Sequence, residues 1–304
     1  MEAIRYLTYR QIDKDKWNAC IDTAPNGSIY GYSNYLDQMA KHWDALVLGD
    51  YACVMPLTWN KKYNIHYLYQ PPFTASLGVF GNRIDKSIVH QFLDAIPAKF
   101  KYWDFSLNRE NFFPVEGYEF RERTNYLLSL KESYATISSE YRENVKRNIR
   151  KSVVFKDHLK KDVSIDDVIA LANDQLKNIT DLKQEDFDHF KKLYKAFHKK
   201  DKAVTYGVYA ASGQLTASAA FFFSHDRAYY LLVGNHPNSK VTGASHALID
   251  AFIKDHAGQD LTLDFEGSDL RNLAFFYSSF GARRESYPAI RLNRLPRLLK
   301  WMKK

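Results

Sequence analysis

The chain has 304 residues and only two cysteines, Cys20 and Cys53, too few for a disulfide framework, so reduced thiols in a cytoplasmic protein are the expectation. No run approaches eighteen consecutive apolar residues, which excludes a membrane span marked by hydropathy. The opening MEAIRYLTYR lacks the apolar core and small-residue cleavage site of a secretory leader. None of the ten histidines sits in H-E-x-x-H or in a Cys/His ligand spacing, so no metal is expected. There is no G-x-S-x-G elbow, no eight-residue Walker loop, and no local signature of a nucleophile around either cysteine. Low-complexity sequence is absent as well. What is present, 45% apolar and 15% aromatic residues over this length, suffices for two ordinary globular domains with their own cores.

The formal charge of +8 is unevenly placed. Residues 1–130 hold 14 basic and 14 acidic side chains, so the whole excess falls in 131–304. Segment 141–161 carries eight basic against two acidic residues, and 291–304 carries six basic and none acidic. Such clusters suit an anionic partner or a solvated helix face.

Hydrophobic periodicity predicts an α/β protein. In the first half, a strand at Ile4–Arg10 is followed by helices around Trp17 and at Tyr35–Met39. A hairpin from Asp44–Val47 to Tyr51–Trp59 comes next, then a strand Tyr63–Tyr69 that stops at Pro71-Pro72. Ile84 to Ile96 has helical spacing, and Tyr102–Leu107 and Tyr126–Leu130 are further strands. The second half opens with a basic helix at 141–155, then a helix capped by Ser164 and another through Phe187, Phe190 and Phe197. The period then changes to two, giving a meander of Val204–Ala211, Leu215–Ser224 and Ala228–Gly234. A loop, a helix through Ala247 and Phe252, a strand Leu261–Glu266, a helix capped by Ser268 and a last strand at Ile290 complete it.

The segment KVTGAS, Lys240–Ser245, falls between the meander and the next helix. Helix N-terminal amides lack intrahelical partners and carry positive dipole, so an anion can bind there. Gly243 would admit close backbone approach and Lys240 adds a charge. In YRENVKRNIRKS (141–152), Arg142, Lys146 and Arg150 share one helical face, Arg147 and Lys151 form a neighbouring row, and Val145 and Ile149 face inward. Asp264 and Glu266 lie two apart on a strand, on one side of it, able to reach a cleft.

With KVTGAS at this point of the strand order, the chain resembles the GNAT acyltransferase superfamily, whose loop pattern is Gln/Arg-x-x-Gly-x-Gly/Ala; Lys240 and Ser245 depart from it. YLYQPPFTASLGVFG (67–81), YRENVKRNIRKS and LDFEGSDLRNLAFFYSSFGA (263–282) extend the resemblance to the Fem-like branch, tandem GNAT proteins that join aminoacyl groups to cell-wall precursors. The coiled-coil arm of Fem enzymes has no counterpart here. The resemblance implies two GNAT-like domains, 1–130 with a degenerate donor loop on the acceptor side and 131–304 for donor binding and catalysis. Each would be a mixed, mostly antiparallel sheet flanked by helices.

It further implies a donor site of Val233, Gly234, Lys240, Thr242, Gly243, Ala244, Ser245 and Asn272. A main-chain amide of Val233 or Gly234 would serve the oxyanion. Asp264 or Glu266 would take the proton of an attacking amine. Tyr277 would protonate the leaving thiolate, at a position where Fem-like proteins tend to have Lys. Tyr69, Gln70 and Phe73 would line the acceptor side of an interdomain cleft, and Arg147 and Arg150 would contact phosphate or tRNA. The expected activity is N-acyl transfer from acetyl-CoA or another acyl-CoA to a small-molecule or peptide amine. Aminoacyl-tRNA is the alternative donor, and a non-catalytic fold binding an anionic ligand is the rival from another class.

Overall fold

The computed structural model describes residues 3–113, 116–267 and 269–296. Among them the first half contains β1 (Ile4–Leu7), α1 (Lys14–Thr23), α2 (Ser33–Met39), β2 (His42–Leu48), β3 (Cys53–Lys62), β4 (Ile65–Tyr69), β5 (Phe80–Gly81), α3 (Lys86–Asp94) and β6 (Phe100–Ser106). Then follow β7 (Glu119–Ser129), α4 (Tyr134–Ser139), α5 (Glu143–Val154), β8 (His158–Lys161), α6 (Ile165–Leu176) and α7 (Gln184–His198). The meander is β9 (Ala203–Tyr209), β10 (Leu215–Ser224) and β11 (Arg227–Asn235). After it come α8 (Ser239–Thr242), α9 (Ala244–His256), β12 (Thr262–Asp264), α10 (Arg271–Ser278) and β13 (Arg283–Asn293). No described helix is long and apolar enough to cross a membrane.

The chain divides into two compact units, Met1–Arg123 with Ser286–Lys304, and Thr124–Glu285. This division differs from 1–130 and 131–304 chiefly at the C-terminus. There β13 runs antiparallel to β6, from Ala289↔Ser106 to Asn293↔Tyr102, and Ile290 is fully buried in the first unit's core. The basic segment 291–304 therefore begins as a strand; its residues 297–304 lie outside the described part.

In the first unit the strand order is β1-β2-β3-β4-β6-β13, with β5 on β3. In the second it is β7-β12-β11-β10-β9-β8. Both place three antiparallel strands beside a parallel crossover: β4 with β6 after α3, and β11 with β12 after α9. Such a crossover needs an intervening connection, which the helix supplies. In each unit the strand after the crossover also has an antiparallel neighbour, β13 in one and β7 in the other.

Alternation along β10 builds the second unit's core on both faces. Phe221 stacks on Phe252 of α9 at 3.8 Å between ring centroids. Phe222 packs edge-on against Phe190 and Phe197 of α7 on the opposite side. Ser164 caps α6 by accepting from the Asp166 amide at 3.2 Å, as the sequence predicts. The short β8 has no sequence signal, because all four of its residues are exposed and none alternates.

Candidate functional site

The meander positions the candidate site. β12 runs beside β11 only from Arg227↔Thr262 to Tyr229↔Asp264, while β11 continues to Asn235 along β10. The two parallel strands therefore part after Tyr229. Within β11 the register against β10 shifts, Ala220↔Leu232 following Phe221↔Tyr230, so Leu231 is an extra, bulged residue at the start of the parting. Val233 and Gly234 lie beyond it, paired with Ala219 and Ser218. A Cβ at Gly234 would sit 2.7 Å from the Ala172 amide nitrogen, so glycine there lets α6 press directly on the strand.

The chain leaves β12 abruptly. Asp264 ends the strand and Glu266 takes φ 63°, so the pair does not share one face of a continuing strand as the sequence suggests. Asp264 is buried and fully engaged. Its Oδ2 accepts from Arg227 Nη1 at 3.0 Å, and its Oδ1 accepts from Asn125 Nδ2 and from the Glu266 amide, each at 2.9 Å. Asn125 Oδ1 in turn accepts from the Gly267 amide at 2.7 Å. Asp264 and Asn125 thus clamp the loop that carries Glu266, a positioning job that takes up the lone pairs a general base would use. Ser268, the expected cap of α10, lies outside the described residues, and Leu270 stands at the helix's N-cap.

Tyr277 of α10 lies in the core of this unit, stacked on Phe265 at 4.7 Å and edge-on to Tyr230 at 6.5 Å. Burial, with the Glu266 carboxylate adding to it, pushes its hydroxyl well above the ordinary tyrosine value. It stays protonated at neutral pH, so it can donate a proton but not take one. Asn272, in the first turn of the same helix, is exposed.

The donor loop is differently built than its sequence implies. Gly243 does take a left-handed conformation, φ 84°, but it faces protein: a Cβ there would lie 2.2 Å from the Asn148 carbonyl oxygen of α5. Most of the amides in and just after the turn already have acceptors. Those of Val241 and Thr242 donate to Asn238 O, that of Gly243 to Ser239 O, and those of His246 and Ala247 to Gly243 O. The Ala244 amide donates to Thr242 Oγ1 at 3.3 Å, and Ser245 Oγ bonds Asn235 Oδ1 at 2.5 Å. Lys240 is exposed on α8. A pyrophosphate would have to displace these bonds, so this turn is no ready-made anion cradle.

The basic helix keeps its predicted faces. Val145 and Ile149 pack into the core, while Arg147 and Arg150 are exposed. Arg142 lies 5.2 Å over the Phe275 ring, and Lys146 and Arg150 approach Glu143 at 3.7 and 3.9 Å. Arg147 has no ion-pair partner among the described residues. Beside it His246 lies against Phe276 and within 3.4 Å of Asn148 Nδ2. Burial and then the Arg147 charge hold its imidazole down to about 4, so it is neutral at pH 7.

Tyr69, Gln70 and Phe73 belong to the first unit, where each ties down a loop. Tyr69 Oη accepts from the Lys41 amide at 2.8 Å. Gln70 bridges Thr74 O and the Ser106 amide, both at 2.8 Å, and Phe73 O accepts from the Tyr35 hydroxyl. Among the described residues no group of three or more His, Cys, Asp or Glu could hold a metal ion.

Residues 139–271, which span the basic helix, the meander, the loop and β12, match the acetyltransferase (GNAT) domain family. That stretch of the second unit is therefore similar to a GNAT acetyltransferase domain. Solved structures share the fold over nearly the whole length. FemX superposes with a TM-score of 0.65 at 11% identity, covering 99% of this chain and 100% of that one. The C-terminal domain of a putative lysylphosphatidylglycerol synthetase from Agrobacterium fabrum gives 0.57 at 11% identity, with 92% of each chain covered. L-PGS from Bacillus licheniformis gives 0.56 at 10%, with 95% of each covered. These likenesses concern the fold. No curated protein matches the chain in sequence.

Proposed function

We propose that the second unit transfers an acyl group to an amine, and that the activated acyl group arrives on a large polyanion, an aminoacyl-tRNA. The parting of β11 and β12 after Tyr229 and Asp264 carries the reading. Strand backbone beyond the Leu231 bulge has no β12 partner, and Glu266 lies near enough to Tyr277 to raise its pKa. The amine nitrogen attacks the carbonyl carbon, and backbone N–H groups of Val233 or Gly234 stabilise the oxyanion. Glu266 takes the proton from nitrogen. The bond to the leaving oxygen breaks, Tyr277 protonates that oxygen, and water returns the proton from Glu266 to Tyr277. No covalent enzyme intermediate forms.

Two observations favour tRNA over coenzyme A: most of the loop amides that would hold a pyrophosphate are spoken for, and Arg147 and Arg150 stand exposed on α5. The names of the FemX and lysylphosphatidylglycerol synthetase structures accord with this without deciding it. An acyl-CoA donor is the second reading, favoured by a tyrosine at position 277, which suits a thiolate leaving group. Calorimetric titration with acetyl-CoA and filter binding of aminoacyl-tRNA separate them. The expectation is no saturable CoA binding, and tRNA affinity that falls steeply with salt. Replacing both Arg147 and Arg150 by Ala should lower the slope of log affinity against log salt by about two. Saturable acetyl-CoA binding with thiol release establishes the second reading, and an unchanged slope in the double variant removes these arginines from the donor face. Anion binding without turnover on any amine would leave a non-catalytic binding protein.

A further inference from the structure

We propose that the turn joining α5 to β8 docks this protein on an anionic lipid bilayer, lying on the surface without spanning it. Val153, Val154 and Phe155 are consecutive and expose 73, 76 and 47% of their surface, and Leu159 of β8 exposes 41%. Single exposed apolar residues are ordinary on a protein surface; three in a row at a projecting turn are not. On a helix, Val153 and Val154 point about 100° apart, so together with the capping Phe155 they cover the whole end of α5.

The turn is also stiff. Ser152 Oγ donates to Asp157 Oδ2 at 2.8 Å, the Asp157 amide donates to Ser152 O at 3.0 Å, and the Lys156 amide donates to Val153 O at 3.0 Å, with Lys156 at φ 54°. The apolar triplet is therefore presented in a fixed shape, and docking orders little chain.

Charge names the occupant. Arg150, Lys151, Lys156 and Lys160 flank the triplet in sequence and are exposed, Arg150 near Glu143 at 3.9 Å, whereas the one carboxylate in the turn, Asp157, is held by Ser152. A second copy of this face would be repelled. A nucleic acid would gain from the cations but nothing from two exposed valines, which offer neither stacking surface nor donors. An anionic membrane gains from both: aliphatic and aromatic side chains enter the boundary between headgroups and acyl chains, and each nearby cation raises partitioning about fivefold.

Vesicle flotation of the full chain tests this, with phosphatidylcholine alone and with added phosphatidylglycerol. The wild type should float with the mixed vesicles and hardly with phosphatidylcholine. V153S/V154S/F155S should reduce flotation at least about tenfold, and K156Q/K160Q should reduce it on mixed vesicles by a similar factor. F155W should show a blue-shifted emission on adding mixed vesicles, a readout that is independent of whether the triple variant folds. No flotation of the wild type, equal flotation of the triple serine variant, or an unshifted tryptophan would overturn the proposal. So would a loss of tRNA binding in the triple variant with flotation intact, which would assign the turn to nucleic acid.

Discussion

Asp104-Phe105-Ser106 of the first unit and Asp264-Phe265-Glu266 of the second occupy the same place in the same topology. Tyr69 pairs with Asp104 in one parallel crossover, and Tyr229 with Asp264 in the other. In the first unit β4 ends at that pair, and β6 continues to a Ser106 paired with Ala289. In the second, β11 runs on to Asn235, β12 stops, and Glu266 turns away at φ 63°. The helices after each meander start differently, though neither start is an empty anion site. The N-terminus of α3 is filled by Asp85, whose carboxylate accepts from the Ile88 amide at 2.8 Å and would repel a second anion. The corresponding start of α9 has Gly243. One fold thus appears twice, with a closed and an open version of a single crossover, and a carboxylate at the open mouth alone.

The sharpest way to break this comparison is to exchange function at the third residue of the triplet. Glu266→Gln should lower kcat for acyl transfer by about 10²–10⁴ with little change in affinity for donor. Ser106→Ala should leave it unchanged, and equal losses in the two variants would end the distinction. Next come the aspartates. Asp264→Asn removes the main charge partner of the half-buried Arg227, which keeps Glu285 at 3.9 Å, and should cost about 1.5–3 kcal/mol in denaturant unfolding. Asp104 meets Arg121 at 3.3 Å with 45% of its side chain exposed, so Asp104→Asn should cost under about 1 kcal/mol.

Glycines give a smaller contrast. Gly243→Ala combines left-handed strain with the Asn148 collision and should cost about 3 kcal/mol. Gly117, at φ 85°, has open space where a Cβ would go, and its replacement by Ala should cost only about 1–2 kcal/mol. The smallest contrast is in pH dependence. His246, held down to about 4 in the folded protein, titrates near 6.5 when unfolded, so the unfolded chain binds the extra proton between those values. Its contribution is complete above pH 6.5 and declines as pH falls towards 4, by about 3 kcal/mol. His246→Gln should flatten that acid limb of the stability profile, and His66→Gln in the first unit, where burial lowers the imidazole less, should flatten it less.

Much of the fold was legible because it rests on local periodicity. The meander alternates cleanly, Ser164 begins a helix, and Val145 and Ile149 mark the inner face of α5 at helical spacing. Strands with polar beginnings were cut short: β7 starts at Glu119 through Phe-Arg-Glu-Arg-Thr, and β13 at Arg283, well before Ile290. The site was legible in its residue types but not in their relations. Gly243 shows in the sequence as a glycine before a helix, yet its neighbour is a carbonyl oxygen of Asn148, nearly a hundred residues earlier. Asp264 and Glu266 look alike at a spacing of two; only the half-buried Arg227, the first residue of β11, and Asn125 make Asp264 the anchor of the loop that carries Glu266. The equivalence of Asp104-Phe105 and Asp264-Phe265 likewise became visible only once their pairings with Tyr69 and Tyr229 were known.

The position of β13 sets an order of assembly. The strand that completes the first unit's sheet, and the Ile290 side chain that fills its core, are made only after the whole of the second unit. Synthesis usually lets an N-terminal domain close first. Here the residues of the second unit, 124–285, are all present before the first can finish. Until then the newborn first unit carries β6 with one unpaired edge, a template for pairing with another chain.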